Sequence, residues 1–303
     1  MLKFVLTKIG MAALVALTVS FISFILLFMA GDPAIAIAGE GASGEVIAAV
    51  RSQYGFDRPL LVQYVDWLMR ALSGDFGMSY YFKTPVSGMI AERLPVTMTI
   101  GFLGMSFALL LAIPMGVLAA AFPNTLIDRL ALGIAVVGQA IPSFWFGLIL
   151  IVVFSVNLGW VPASGTRQWT GYILPMIVLG YYATPAIMRL TRAGMLDVLS
   201  ADYIRTARAK GIKPRRVLFK HALRNAIIPV VSLVQLGFMF GGSVVVETIF
   251  ALHGAGYLAW ESISRNDLPT MQALILIFAM FYITFTFLAD VLNAWLDPRL
   301  RTA

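Results

Sequence analysis

Six apolar runs, at about 9–30, 97–121, 130–156, 171–189, 226–250 and 270–292, constrain this chain more than any other feature. Each comes close to the roughly 20 residues that an α-helix needs to cross a hydrocarbon layer about 30 Å thick. Backbone groups in lipid must be satisfied within the protein, so runs of this length imply helices. The composition agrees: 60% of the 303 residues are hydrophobic and only 12% are charged, against roughly 25% charged in a soluble domain. The expectation is an all-α integral membrane protein with six transmembrane helices.

Lys3 and Lys8 precede the first run, which extends from Ile9 to Ala30. A cleaved signal would suit the small residues at Ala34–Gly39, but its apolar region is typically about 7–15 residues, and this one has 22. A retained anchor is therefore expected. Residues 31–94 contain no spanning run. Within them, Asp57-Arg58-Pro59 opens a helix that places Leu60, Leu61, Tyr64, Trp67, Leu68 and Leu72 on one face. That face suits packing on the protein or lying on lipid, where Tyr and Trp favour the interface. Gly74-Asp75-Phe76-Gly77 then reads as a turn.

Six spans put both ends of the chain on one side. With the N-terminus inside, 15 of the 22 Lys and Arg residues fall on inside segments and seven outside. Excess Lys and Arg mark cytoplasmic loops, so both termini are expected in the cytoplasm and residues 31–94 outside it. The net charge of +7 follows this topology and does not call for nucleic acid.

Ten of those basic residues crowd into Arg189–Arg224. Ser200 is placed as the N-cap of a short helix with Asp202 in its first turn, running to Lys210 and stopped by Gly211. Pro214 suits the first position of a second helix, since its missing N–H and fixed φ cost nothing there. That helix turns Val217, Leu218, His221, Ala222 and Asn225 to one side. A basic helix–turn–helix between apolar spans reads as a docking element for another protein on the cytoplasmic side.

Chemistry of its own is hard to find. The two histidines, His221 and His253, have no partner at metal-ligand spacing, and Cys is absent. There is no nucleophile elbow and no phosphate loop, so neither catalytic residues nor a metal site is assigned. Glu247 and Asp290 fall toward helix ends, whereas an ion-coupled carrier normally keeps an ionisable group at mid-membrane. That carrier and a structural membrane anchor are the two rival classes. The third run is interrupted at Gln139-Ala140-Ile141-Pro142-Ser143. Proline there kinks the helix and frees a carbonyl, tolerable against protein or a water-filled cavity. Gln139, Pro142, Ser143, Gln235 and Ser243 are accordingly the candidates for lining a pathway, with Ser232 beside them.

The basic loop resembles the coupling motif of permeases of ATP-binding cassette importers, in the dipeptide/oligopeptide/nickel subfamily. Asp202-Tyr203-Ile204-Arg205-Thr206-Ala207-Arg208-Ala209-Lys210-Gly211 matches that subfamily, and His221-Ala222-Leu223-Arg224-Asn225-Ala226 with Pro229 continues it. The wider superfamily places Glu where this chain has Arg205, and Leu-Pro where it has Leu223-Arg224; the peptide subfamily shows the same departures. Further matches run along nearly the whole chain: Gly31-Asp32-Pro33, Gly74-Asp75-Phe76-Gly77, Arg93-Leu94-Pro95-Val96-Thr97, Ile141-Pro142-Ser143-Phe144-Trp145, Val246-Glu247-Thr248-Ile249-Phe250 and Asp297-Pro298-Arg299.

The resemblance implies a type I importer permease in a bacterial cytoplasmic membrane. Residues 1–93 would be an N-terminal helix and outer loop added to a core at 94–303, with the coupling loop at 193–225. Ala201 and the motif residues from Asp202 to Gly211 would form a coupling helix seated in a groove of a cytoplasmic ATPase. Ala201, Ile204, Ala207 and Ala209 would be compact enough to sit deep there. Implied partners are a second homologous permease, two ATPase subunits carrying ATP and Mg, an extracytoplasmic substrate-binding protein and membrane lipid. This chain would bind no cofactor. Di- and oligopeptides lead as cargo, while nickel, glutathione and other small solutes share the fold.

Overall fold

The computed structural model describes residues 2–39, 41–227, 230 and 237–296. Among the described residues, four helical segments are long and apolar enough to cross a membrane: Val5–Leu26, Val86–Ala121, Trp169–Leu199 and Leu268–Ala294. A fifth candidate is a bent pair of helical segments, Leu126–Ala140 and Ser143–Asn157, which meet at 101°. The run at 226–250 lies partly outside the described residues, and its described part is the helix Gly237–Ile249.

In order, the elements are α1 (Leu2–Ala30), α2 (Pro33–Ala38), α3 (Gly44–Tyr54), α4 (Leu60–Leu72), α5 (Val86–Ala121), α6 (Leu126–Ala140) and α7 (Ser143–Leu150). Then come α8 (Ile173–Leu199), α9 (Asp202–Ala209), α10 (Pro214–Arg216), α11 (Leu223–Ala226), α12 (Gly237–Ile249), α13 (Ala255–Ser264) and α14 (Leu268–Leu296). A wider π-helical stretch, Ile151–Asn157, prolongs α7, and a second, Val217–Ala222, joins α10 to α11. The helix expected from residue 97 begins at Val86, because Val86 and Ile90 bury themselves against α13 and α14. Pro95 and Pro114 both sit inside it.

The core is the seam between α5 and α8. Ile100, Met105, Ala108 and Ala112 of α5 pack against Leu174, Val178, Leu179 and Ile187 of α8. Lipid gives no hydrophobic drive to such a pair, so the backbones must approach closely to gain dispersion contacts. Glycine permits that approach: a Cβ on Gly180 would lie 2.4 Å from the Gly104 carbonyl oxygen, and one on Gly116 2.7 Å from that of Met188.

Two smaller clusters mark the ends of the bundle. The first residues of α5 and α14 meet α13 through Val86, Ile90, Ala255, Leu258, Ala273 and Leu274. At the far end of α5, Val117 and Ala120 meet Met195 and the basic loop. Helix α14 therefore starts at the α13 end and finishes at the basic-loop end. There Asp290 accepts from Lys8 Nζ at 2.7 Å, which brings the start of α1 to the same end. The start of α1 and the last turns of α14 thus meet at that end. Residues 31–85 and the α12–α14 connection share the other.

Candidate functional site

Helix α8 runs past its apolar part to Leu199, and Ser200 completes its last turn by donating to the Asp197 carbonyl at 2.7 Å. The expected N-cap role of Ser200 is thereby displaced by one residue. Extended backbone falls on Ala201 (φ −70°, ψ 147°), which has no side chain able to cap. Asp202 stands in the first turn of α9 and pairs with Arg205 at 3.2 Å, but both are largely exposed, so the pair adds little. After Ala209 and Lys210 the chain turns at Gly211, where φ is +71°. The Gly211 N–H reaches the Arg208 carbonyl and the Ile212 N–H that of Ala207. The glycine is thus the left-handed stop that a helix C-terminus favours.

The inner face of α9 is spoken for. Ile204 is fully buried and Ala207 nearly so, among Val117, Ala120, Met195, Val217, Ala222 and Ala226. These two side chains, the apolar positions of a short amphipathic helix, face the chain's own spans. Asp202, Tyr203, Arg205, Arg208, Ala209 and Lys210 form the exposed side. Tyr203 is held from behind, its hydroxyl accepting from Asn225 Nδ2 at 2.8 Å.

Pro214 does begin the second helix. Val217 and Ala222 point inward and Leu218 and His221 are half-buried, but Asn225 is exposed. The π-helical turn explains the slip: its i→i+5 spacing aligns 217 with 222 and rotates the following residues off the stripe.

Two polar contacts tie this loop end to the bent helix pair. Arg192 donates from Nε and Nη2 to the two Asp128 oxygens at 2.7 and 2.8 Å, and the Asn124 N–H adds a third bond at 2.9 Å. One turn closer to the bend, Arg189 Nη1 donates to Gln139 Oε1 at 2.9 Å. At the bend itself, the freed Ile141 carbonyl accepts from the Tyr181 hydroxyl at 2.7 Å. The interruption is thus satisfied by protein. A groove of about 440 Å³ lies in its angle, lined by Arg129, Ile134, Val137, Ile141, Phe146 and Tyr181 among others.

Of the pathway candidates, Gln139 and Pro142 are exposed and Ser143 half-buried, all at the bend. Ser243 is elsewhere: it is buried, with its hydroxyl on Glu247. Gln235, like Ser232, Pro229 and Asp297-Pro298-Arg299, lies outside the described residues. Among the described residues no three His, Cys, Asp or Glu side chains come together as a metal site.

Two buried carboxylates, Glu247 and Asp267, lie at the opposite end. Glu247 accepts from the Thr97 hydroxyl at 2.7 Å, from the Tyr257 N–H at 2.8 Å and from the Gly256 N–H. It therefore caps the first turn of α13, while Thr97 Oγ1 takes the Ala255 N–H. Gly254 leaves the room, since a Cβ there would lie 2.4 Å from a Glu247 oxygen. Asp267 accepts from Ser79 Oγ, the Tyr80 N–H and Thr270 Oγ1 at 2.6–2.8 Å. Burial pushes the neighbouring Tyr80 phenol well above its ordinary range. Thr97 and Glu247 both stand in motif stretches already noted, but nothing local announces that they meet.

Two family models match the chain. A family model described as "Binding-prot-dependent transport system membrane comp, N-term" matches residues 1–101, and "Binding-protein-dependent transport system inner membrane component" matches 112–302. The glutathione transport system permease protein GsiC of Salmonella typhimurium is 41% identical over 304 residues, covering 99% of both chains. GsiC of Escherichia coli K12 is 43% identical over 286 residues, covering 93% of this chain and 94% of that one. Among solved structures, inward-facing MetNI methionine ABC transporter gives a TM-score of 0.58 at 20% identity, over 69% of this chain and 96% of that one, a likeness of fold. The chain belongs to the binding-protein-dependent transport system inner membrane component family, as a multi-pass inner-membrane permease of an ABC importer.

Proposed function

We propose that this permease imports small peptides, with glutathione the first cargo to test. Full-length similarity to two permeases named for glutathione transport supports this choice. Glutathione is itself a modified tripeptide, so the reading keeps the peptide class and narrows it. The chain would form the pathway with a second, homologous permease, receive cargo from an extracytoplasmic binding protein, and take its energy from two ATPase subunits that hold ATP and Mg. In this reading the chain has six spans with both ends in the cytoplasm, residues 1–93 are an addition to the 94–303 core, and the 193–225 loop is the coupling element.

The observation that carries the coupling role is the two-sidedness of α9. Ile204 and Ala207 share a packed cluster with the ends of α5 and α8, while Tyr203, Arg205, Arg208 and Lys210 remain exposed. A partner gripping the outer side moves the inner side with it, because close-packed clusters transmit displacement. Arg192–Asp128 and Arg189–Gln139 then carry the motion to α6 and the bend. ATP-driven closure of the motor would in this way shift the permease between two arrangements.

The test has two parts. Mild-detergent purification of the tagged chain from its own cells should bring down a second permease and ATPase subunits. Membrane vesicles or cells should then take up labelled glutathione in a manner lost on deletion of the gene. A homodimer without ATPase would overturn the coupling role. Uptake of dipeptides or nickel with no glutathione uptake would overturn the cargo.

A further inference from the structure

We infer that α4 lies within the lipid, in the interfacial layer of the leaflet opposite the basic loop, with its outer face covered by acyl chains. The helix has three sides. One packs on α1: Trp67 is buried, Tyr64 makes edge contacts with Phe21 and Phe24 at 5.1 and 5.6 Å between ring centroids, and Trp67 sits 6.0 Å from Phe24. A second side carries Leu61, Val65, Met69 and Leu72, which are 66, 53, 64 and 75% exposed. A third carries Asp66 and Arg70, with Arg58 paired to Asp66 at 2.6 Å. A helix wholly in water would not keep the second side apolar, and a helix in the hydrocarbon centre would not carry the third.

Depth identifies what covers the apolar side. The Tyr64 hydroxyl meets Ser20 Oγ at 2.8 Å and lies 3.4 Å from the Leu17 carbonyl, well inside the apolar run Val5–Leu26. Phe24 and Ser20 stand six and ten residues before Ala30, where α1 ends. At 1.5 Å per residue, this sets the α1 contact about 9–15 Å along the helix from that end. Interfacial helices bury their apolar faces about 5–10 Å deep, so a helix resting on this stretch of α1 reaches that layer. Leu14, Ile22 and Leu26 of α1 are likewise exposed apolar residues. Residues 60–72 are therefore membrane-embedded, although no sequence window marks them as a span.

The chain has no cysteine, which makes single-site labelling direct. Val65→Cys and Met69→Cys, each carrying a nitroxide, would be reconstituted as full-length permease in phosphatidylethanolamine/phosphatidylglycerol vesicles. Leu14→Cys serves as the lipid reference and Arg70→Cys as the aqueous one. The expected result is several-fold more collision with oxygen than with a water-soluble nickel chelate at 65 and 69, as at 14, and the reverse at 70. Nickel-dominated collision at 65 and 69 would overturn the proposal, and so would shielding from both probes, which would mean that protein covers the face. Should a nitroxide prevent insertion, the unlabelled cysteine variants answer the same question. Reaction with a charged maleimide should be slow at 65 and 69 and fast at 70, and fast reaction at 65 and 69 would overturn it.

Discussion

Arg192 grips Asp128 with both of its forward nitrogens, at 2.7 and 2.8 Å, across the junction between α8 and the start of α6. Asp128 is buried while Arg192 is partly open, and a bidentate pair of this kind sets orientation as well as attraction. It is the firmest polar link between the loop-bearing helix and the bent helix pair.

Asp128→Asn should therefore weaken transport without preventing insertion. Residues that couple two sites change that coupling by about two- to thirty-fold, and initial uptake rates should fall within this range. The exchange Asp128→Arg with Arg192→Asp should recover part of the loss. Unchanged uptake in both single variants, measured at equal membrane abundance, would remove the pair from the coupling route.

Gly211 is left-handed in open space, so a side chain there meets backbone strain and no clash. Leaving glycine costs roughly 1–2 kcal/mol for an ordinary residue, less for Asn. Gly211→Val should insert normally but lose co-purifying ATPase and uptake, and Gly211→Asn should retain most of both. Full transport by the valine variant would show that the turn tolerates another geometry.

The two faces of α9 should separate in experiment. Ile204→Ala opens a cavity in the loop cluster, a change worth about 2–5 kcal/mol for large-to-small core substitutions. It should lower the thermal midpoint of the purified permease. Arg208→Ala, on the exposed face, should leave that midpoint in place and reduce ATPase association. Paired thermal and pull-down measurements distinguish them, and equal effects on both readouts would contradict the two-sided helix.

Glu247→Gln keeps the shape of the side chain but turns an NH₂ toward one of the N–H groups that the carboxylate now accepts. An unsatisfied buried donor costs about 1–3 kcal/mol. The first turn of α13 should loosen, with faster proteolysis or amide exchange over residues 251–258. Unaltered protection there would show that Thr97 alone suffices as the cap.

Local chemistry wrote much of this protein into its sequence. The apolar runs are helices where they are described, Gly211 and Pro214 stop and start the loop helices, and Ile141-Pro142 breaks the third run. Each follows from side-chain period, backbone freedom or a missing donor within a few residues, which any window of the chain displays. The first apolar run and the amphipathic helix at 60–72 are legible in the same way.

Tertiary structure alone decided which faces meet. It turned Ile204 and Ala207 toward α5 and α8, moved the N-cap from Ser200 to Ala201, and slipped Asn225 off the apolar stripe through a π-helical turn. It also supplied Tyr181 to the carbonyl freed at Ile141, and brought Glu247 to Thr97 across 150 residues. Periodicity says that a helix has an apolar side; it does not say which neighbour fills it. That choice depends on how closely small residues such as Gly116 and Gly180 let α5 and α8 approach, and it sets the depth and rotation of every side chain beyond them.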